Sequence, residues 1–396
     1  MIESLVREVL IGVALFDEPT AVLGGWYAYG DNAAVRFSAP QDLPQSVKYN
    51  GNGNPIIWIT NADFTVYRDK LQGIGYLRLY NFFTPNLYKI TPELGMDINV
   101  TDRRTVVTTL AKVVNRAWQF ACRAWPGIAP LEDMKESILA HLNVKDIPDI
   151  VLLDPVMESG YQDSSSVIGQ KYEVDAMILR LVPNRVRHAT DVLSYGMPAG
   201  EWRVRRDINS VEQALSLEQP SFLECDITWK GAPFADLCAY GAQAFGKNVS
   251  LRQWVAQPEL FFLAEHATDI KVSAATVWDD LEVAPQLPAI FYEDSLTPLS
   301  YSVGIIAANF MEAISGRRYS RKHRKNFHPV RATWLRAVDR AISFSSAKLL
   351  SGAGLRIRQY GDGEVSVNVF RHELEDVVAI AADCGFTLAT NPWRNK

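Results

Sequence analysis

Cysteine and histidine are scarce in this sequence, and neither occurs in a metal-binding pattern. The four cysteines are Cys122, Cys225, Cys238 and Cys384, and they include no C-x-x-C pair and no zinc-ligand spacing to a histidine. The six histidines are scattered, without an H-E-x-x-H motif. Apolar residues surround each cysteine, which is typical of reduced core cysteines in an intracellular protein. We therefore expect no zinc site, no disulfide framework and no cofactor.

Long apolar runs are also missing. No uncharged stretch approaches the roughly 18–20 residues that a membrane-spanning helix needs. The first fifteen residues carry Glu3, Arg7 and Glu8, whereas a secretory signal begins with basic residues and keeps its apolar stretch uncharged. We expect neither a signal peptide nor a membrane partner.

Catalytic motifs are missing as well. There is no P-loop and no strand–GxGxxG–helix unit, and the glycines of "GAGLRIRQYGDG" have the spacing of turns. The serines 164–166 lack the context of a nucleophile elbow. Asp279, Asp280 and Glu282 could be a metal site, but neighbouring carboxylates on the helix predicted there point apart, which favours a solvated face. We expect a protein that is not an enzyme; an enzyme of an unrecognised type is the alternative, which an activity assay would reveal.

The composition is that of a folded chain with an acidic surface. The 396 residues exceed one ordinary core, which favours two domains. Hydrophobic residues make up 48% and charged residues 21% of the chain, and the formal net charge is -5. This acidity excludes a long basic tail but not a local basic groove, because the electrostatic potential depends on where the charges lie.

Hydrophobic periodicity favours helices over most of the chain. The clearest begins at Thr101 or Asp102, either of which can cap it, and ends at 126–127 (Pro-Gly). Another long one covers 327–352, with Trp334, Val338, Ile342 and Leu349 facing inward and Gly352 as its stop. Further helices are predicted at 3–15, 63–83, 131–143, 167–182, 209–217, 234–246, 249–266, 273–281, 300–315 and 371–384, the last ending at Gly385.

Strand signals are few and local. "VKYNGNGNPIIWIT" predicts a hairpin around an Asn-Gly turn, and a second hairpin has a Gly-Asp-Gly turn before Val365, Val367 and Val369. "EWRVRRD" alternates in the manner of a strand. We therefore predict a mainly α fold of two helical lobes with small β-hairpins. Its parts are an N-terminal arm 1–24, an N-terminal domain 25–244, a C-terminal domain 245–370 and a C-terminal arm 371–396.

Two segments, 202–206 and 317–325, combine arginines with an aromatic residue, and this combination is typical of nucleic-acid binding. Arginine binds phosphate oxygens with its fork of donors, and aromatic rings stack on bases. Six cations crowd into nine residues at 317–325, where they repel one another unless an anion binds. The alternative is a solvated basic loop that pairs with nearby acids. The candidate RNA-binding residues are Arg317, Arg318, Tyr319, Arg321, Lys322, Arg324, Lys325, Arg203, Arg205, Arg206, Arg336 and Arg340.

The segment "SYSVGIIAANFMEAISGRRYS" resembles the signature of nucleoproteins of non-segmented negative-strand RNA viruses (Mononegavirales), in its paramyxovirus form. That family has an S-[YF]-A-M-G core and, about a dozen residues later, a G-R-x-[YF] element; here these are 300–304 (SYSVG) and 316–319 (GRRY). Ser302 and Val303 replace the family's Ala-Met. An aromatic-Asp-Pro element and a helix ending in Ser-Ser follow, matched by 327–329 (FHP) and 345–346 (SS).

Upstream segments follow the family order. "RAWQFACRAW" is similar to the family's Trp-centred helix, with Trp118 and Cys122 at the expected spacing, and "GEWRVRRD" is similar to a basic stretch near the inner groove. The 396 residues hold no counterpart of the long disordered tail of paramyxovirus nucleoproteins, so we expect a relative of the shorter kind, such as pneumovirus or mymonavirus nucleoproteins.

The resemblance implies two α-helical lobes that clamp single-stranded genomic RNA between them, with Arg317 in the groove. It also implies terminal arms that dock on neighbouring subunits in a helical nucleocapsid, which is the polymerase template. The implied partners are RNA, further copies of the chain, the viral polymerase and its phosphoprotein-like cofactor, and the implied location is the virion. The alternative is a structural capsid protein that encloses the genome without gripping it.

Overall fold

A computed structural model gives the fold of the chain. Contacts divide the chain into two compact units. The first comprises Met1–His141, Pro288–Phe310 and Leu388–Lys396, and the second comprises Leu142–Leu287 and Met311–Thr387. The structure describes residues 9–49, 52–79, 87, 91, 94, 96–124, 164–166, 176–229, 249–266, 269–282, 329–361 and 363–389.

The first unit contains a six-stranded sheet of order β3-β2-β1-β5-β4, with β6 paired to β5. Strand β1 lies antiparallel to β2 and parallel to β5. A one-turn helix α1 (Phe64–Val66) and a π-helical turn (Tyr67–Leu71) follow β5. The strands are β1 (Leu10–Glu18), β2 (Leu23–Tyr29), β3 (Val35–Phe37), β4 (Ser46–Tyr49), β5 (Asn52–Thr60) and β6 (Leu77–Arg78).

The helix predicted at 3–15 is wrong from Leu10 onward, because these residues form β1 in the middle of the sheet. All residues from Leu10 to Phe16 are buried. A strand that is covered on both faces needs apolar side chains at every position, so its sequence loses the alternation that marks a half-exposed strand. The helix predicted at 63–83 is likewise short, since helical structure ends at Leu71.

The predicted helix after Thr101 is confirmed as α2 (Arg103–Ala124), which packs against β1 and β2. Asp102 is its cap: the carboxylate accepts hydrogen bonds from the backbone N–H of Thr105 (3.0 Å) and from its hydroxyl (3.1 Å). The indole Nε1 of Trp118 donates to the carbonyl of Val9 at 2.6 Å. The predicted hairpin is also confirmed, as antiparallel β4 and β5.

The second unit contains two further sheets, of four strands (β11-β10-β12-β9) and five strands (β15-β8-β14-β13-β7). Its helices are α3 (Arg185–Leu193), α4 (Val211–Leu215), α5 (Gln257–His266), α6 (Pro329–Gly352) and α7 (Leu374–Asp383). Its strands are β7 (Ser164–Ser166), β8 (Met177–Val182), β9 (Met197–Arg205), β10 (Ser221–Trp229), β11 (Val249–Ala256), β12 (Asp269–Glu282), β13 (Arg356–Gly361), β14 (Glu364–Val369) and β15 (Thr387–Leu388).

Three predicted helices of this unit are strands in whole or in part. The end of 167–182 is β8, and 273–281 lies inside β12. The prediction at 249–266 is half right, because its first half is β11 and its second half is helix α5. In β12 the whole run from Ala274 to Trp278 is buried. As in β1, a strand that is buried on both faces has a nearly continuous apolar run instead of alternating apolar and polar residues. Such a run also places apolar residues at the spacing of a helix.

The remaining helices and strands predicted for this unit agree with the structure where they fall on described residues. Helix α6 ends at Gly352 as predicted, and Trp334 and Val338 are buried, although Leu349 is 55% exposed. β13 and β14 form the predicted hairpin, which packs against α6. The predicted helix at 371–384 is a 3₁₀ turn followed by α7, and Gly385 (φ 83°) follows its end.

The predicted mainly α fold of two helical lobes is wrong. Helix and strand each make up about 38% of the described residues, and the strands form three sheets. The predicted helices at 131–143, 234–246 and 300–315 lie outside the described residues.

The domain boundaries and the exchange role of the two terminal arms stay predictions. In the C-terminal arm, however, Leu374, Val377 and Ala381 of α7 are buried within the chain itself. This burial is what we expect if the helix packs on its own unit rather than on a neighbouring subunit. No helix in the described part of the chain is long and apolar enough to cross a membrane.

Candidate nucleic-acid interface

The predicted RNA-binding residues fall into three groups. Arg203 and Arg205 lie on β9, and Arg206 follows directly after it. Arg336 and Arg340 lie on α6. The basic segment 317–325, with its seven candidate residues, lies outside the described residues.

Strand β9 confirms the predicted strand, and it lies at one edge of the four-stranded sheet. Trp202 is half-buried opposite Trp278 of β12, and Val204 is 44% exposed. Because side chains alternate along a strand, Arg203 and Arg205 share the face opposite to that of Trp202. The strand therefore presents two arginines together on one side of a sheet edge.

Both arginines already have acidic partners. Nη1 of Arg203 donates to Oδ1 of Asp279 at 2.8 Å, with both side chains about half exposed. Arg205 contacts Asp207 through two hydrogen bonds, of 2.5 and 3.2 Å. The bond from Arg205 is the main cause that lowers the pKa of the Asp207 carboxyl, and the same bond raises the pKa of Arg205. Exposed ion pairs of this kind contribute about 0–1 kcal/mol, so a phosphate can displace the carboxylate at little cost.

Arg206 is exposed, and among the described residues it shows no ion pair. Asp279 and Asp280, considered above as a metal site on a helix, are exposed residues of strand β12. Within the described ranges no group of three or more histidine, cysteine, aspartate or glutamate side chains could hold a metal ion.

Arg340 has a different environment from the one predicted. Its side chain is 1% exposed, and it makes a two-pronged ion pair with Glu259 of α5, which is 7% exposed. Nε lies 2.7 Å from Oε1 and Nη2 lies 3.0 Å from Oε2. The guanidinium of Arg340 is therefore part of a buried contact between α5 and α6 and does not face solvent. Arg336, one helical turn earlier, is half-buried.

Sequence reasoning missed a cluster in the first unit, which we call the Trp26 cluster: Trp26, Arg36, Arg104 and Asp17. The guanidinium carbon of Arg104 lies 4.3 Å from the centre of the Trp26 ring, and that of Arg36 lies 5.3 Å from it. Nη1 of Arg36 lies 2.5 Å from Oδ2 of Asp17. The sheet register pairs Trp26 with Arg36, and the first turn of α2 brings Arg104.

No sequence signal marks this cluster, because its members come from β1, β2, β3 and α2 and are separated by up to several tens of residues. The sequence predicts only the start of α2 beside Arg104, with Thr101 or Asp102 as its cap.

Comparison with known proteins adds little. No protein family profile matches the chain, and no curated protein matches it. Among solved structures the chain is similar to Phi29 DNA polymerase in its ternary complex with primer-template DNA and incoming nucleotide substrates, at 9% identity and a TM-score of 0.42 over 90% of this chain and 80% of that one. It is also similar to the post-translocation binary complex of that polymerase with primer-template DNA, at 9% identity and a TM-score of 0.45 over 91% and 80%. These values are too low to establish a shared fold.

Proposed function

We propose that this chain is a nucleoprotein that binds single-stranded RNA without sequence preference, through contacts to the phosphate backbone. The observation that carries the proposal is the charge of 317–325, where six cations occupy nine residues of a chain whose net charge is -5. Such a density of like charge is costly unless an anion binds to it, and RNA offers one phosphate per nucleotide.

Strand β9 supports the proposal from the second unit. Arg203, Arg205 and Arg206 are close in sequence at a sheet edge, and exposed ion pairs between described residues restrain Arg203 and Arg205. A charge-assisted contact to phosphate contributes about 1.5–3 kcal/mol, more than the exposed pair that it would replace. Arg340 is not part of the proposed surface because its guanidinium is buried against Glu259.

The resemblance extends the proposal to encapsidation of genomic RNA. Copies of the chain would assemble along the RNA into a nucleocapsid found in the virion, with the polymerase and a phosphoprotein-like cofactor as further partners. A groove between two helical lobes is not part of the proposal, because the described fold contains three sheets.

The first test measures affinity by fluorescence anisotropy with labelled 20-nucleotide RNAs, one of uridine alone and one of mixed sequence. Since phosphate contacts carry no sequence information, the two dissociation constants should agree within a few-fold and should rise with salt. A strong preference for one sequence would contradict the proposal.

A matched pair of variants tests the basic segment. One variant changes Arg321, Lys322, Arg324 and Lys325 to glutamine, and the control makes the same change at four exposed cations elsewhere. Both variants lose four positive charges, so a purely global charge effect would weaken them equally. We expect a large loss of affinity only in the first variant. The control positions are Arg68, Lys70, Lys112 and Lys271.

The alternative function, a capsid protein that encloses the genome without gripping it, gives a different result on purification. A nucleoprotein should copurify with RNA, which raises the ratio of absorbance at 260 nm to that at 280 nm and is reversed by nuclease under dissociating salt. A low ratio together with nucleic-acid-free shells in negative-stain images would favour the capsid protein.

A further inference from the structure

The Trp26 cluster has the chemistry of a phosphate contact. Arginine presents five N–H donors in one plane, and a ring face can hold the guanidinium while leaving donors available. Over the ring of Trp26, the Arg104 guanidinium is exposed, and among the described residues it makes no hydrogen bond or ion pair. Contact with the ring restricts the side chain in advance, so that less conformational entropy is lost when a ligand binds.

The two arginines over the Trp26 ring differ in how they are paired. Arg36 is neutralised directly by Asp17, whereas Arg104 has no ion pair among the described residues. The backbone N–H of Thr105 and, to a smaller extent, the charge of Arg104 lower the pKa of the Asp102 carboxyl, so Asp102 partly balances Arg104 without a direct contact between the two charged groups.

The residue that precedes Arg104 makes the local charge balance positive. Arg103 also belongs to the first turn of α2, and its Nη1 is buried without a hydrogen-bond partner among the described residues. The first turn of α2 thus carries more cationic donors than its acidic neighbours occupy.

We infer that the Trp26 cluster is a second contact for single-stranded nucleic acid, in which Arg104, held over Trp26, binds a backbone phosphate. The inference rests on the proposed function and adds a binding position in the first unit. Trp26 is half-buried, and its role here is to hold the guanidinium. Arginine together with aromatic side chains is a combination by which proteins hold single strands without reading their sequence. An acidic peptide is a weaker candidate, because the planar donor fork of arginine suits a phosphate and the proposed function already supplies a phosphate backbone.

The test compares Arg104→Gln with Arg68→Gln in the full chain, with the labelled 20-nucleotide uridine RNA titrated at several salt concentrations. Arg68 is an exposed arginine of the same unit, and its ion pair is with the adjacent Asp69. Both variants lose one positive charge. We expect Arg104→Gln to weaken binding by about ten-fold, and the slope of log affinity against log salt to fall by about 0.7, the value for one phosphate of a single strand. Arg68→Gln should stay within two-fold of wild type.

Arg104→Lys is the second variant, and it keeps the inference testable if Arg104→Gln folds poorly. It retains the charge but loses the planar group, so it should restore the salt slope and recover only part of the affinity. If wild type binds RNA but Arg104→Gln and Arg68→Gln bind alike, the inference is wrong and the proposed function stands. If wild type binds no RNA, both fall. Equal affinity of wild type for a 20-residue polyglutamate, lost in Arg104→Gln, would identify a site for acidic peptides and would also overturn the inference.

Discussion

Removing the charge of Arg340 should lower the free energy of unfolding of this protein without changing its affinity for RNA. The Arg340 guanidinium and the Glu259 carboxylate are buried together, at 1% and 7% exposure. If Arg340 becomes methionine, Glu259 stays buried but loses the two hydrogen bonds that the guanidinium donates to it. Breaking a buried pair in this way costs about 3–5 kcal/mol, because the carboxylate is still out of water while the cation of the pair is gone.

The size of the effect can be read from urea unfolding. With an m-value of about 3 kcal/mol per molar urea, a loss of 3–5 kcal/mol moves the unfolding midpoint down by about 1–2 M. Replacing both partners, as Arg340→Met with Glu259→Leu, removes both charges, and the midpoint should return most of the way to wild type. The double-mutant cycle thus separates the coupling between the two side chains from the packing of either one.

The control is the exposed pair of Arg203 and Asp279, whose contact distance of 2.8 Å is nearly the same. Arg203→Met should lower stability by only about 0–1 kcal/mol, because water screens this pair. Two results would refute the reasoning. One is an equal shift of the midpoint in Arg203→Met and Arg340→Met. The other is an Arg340→Met protein that unfolds as wild type does but has lost RNA affinity, which would make Arg340 an RNA contact after all.

Four further predictions follow from the sequence and the described residues. Arg317→Ala should cost more RNA affinity, about 1.5–3 kcal/mol by anisotropy, than any single change among the other cations of its segment, while leaving the melting temperature of the RNA-free protein near wild type. Asp102→Ala should lower stability by about 1 kcal/mol, seen as an earlier thermal transition, because Thr105 loses its cap. Burial raises the pKa of the Cys225 thiol to about 12, so the thiol stays protonated at pH 8. Iodoacetamide should therefore alkylate Cys225 only after urea is added, which mass spectrometry can detect. Deleting 371–396 should lower the melting temperature, because α7 is packed within the chain; an unchanged melting temperature with lost assembly would favour an exchange arm.

The elements that the sequence could predict are those whose signals are local. Helices α2 and α6 each have one apolar face, and the hairpins each have a turn sequence that only a few conformations satisfy. Strands β1 and β12 lack such a signal. The middle of each strand is covered on both faces, so its sequence is a continuous run of mainly apolar residues. Such a run also contains apolar residues at helical spacing. The predicted fold class is wrong because two of the sheets are built around these central strands, and the sequences of these strands lack the alternation of apolar and polar residues that marks a strand.

The predicted interface shows the same limit for charged residues. Arg340 and Arg104 are the same residue type, and each lies on a long amphipathic helix. What separates them is distant in sequence: Glu259 comes from 81 residues before Arg340 and neutralises it in the core, whereas Trp26 holds Arg104 over its ring at the surface. The spacing of two arginines in the sequence predicts that they share a helix face. It does not predict whether that face will pack against a carboxylate that is distant in sequence. Whether a cation can bind RNA is therefore decided by its tertiary partner, and the variants of Arg340 and Arg104 test that rule from opposite sides.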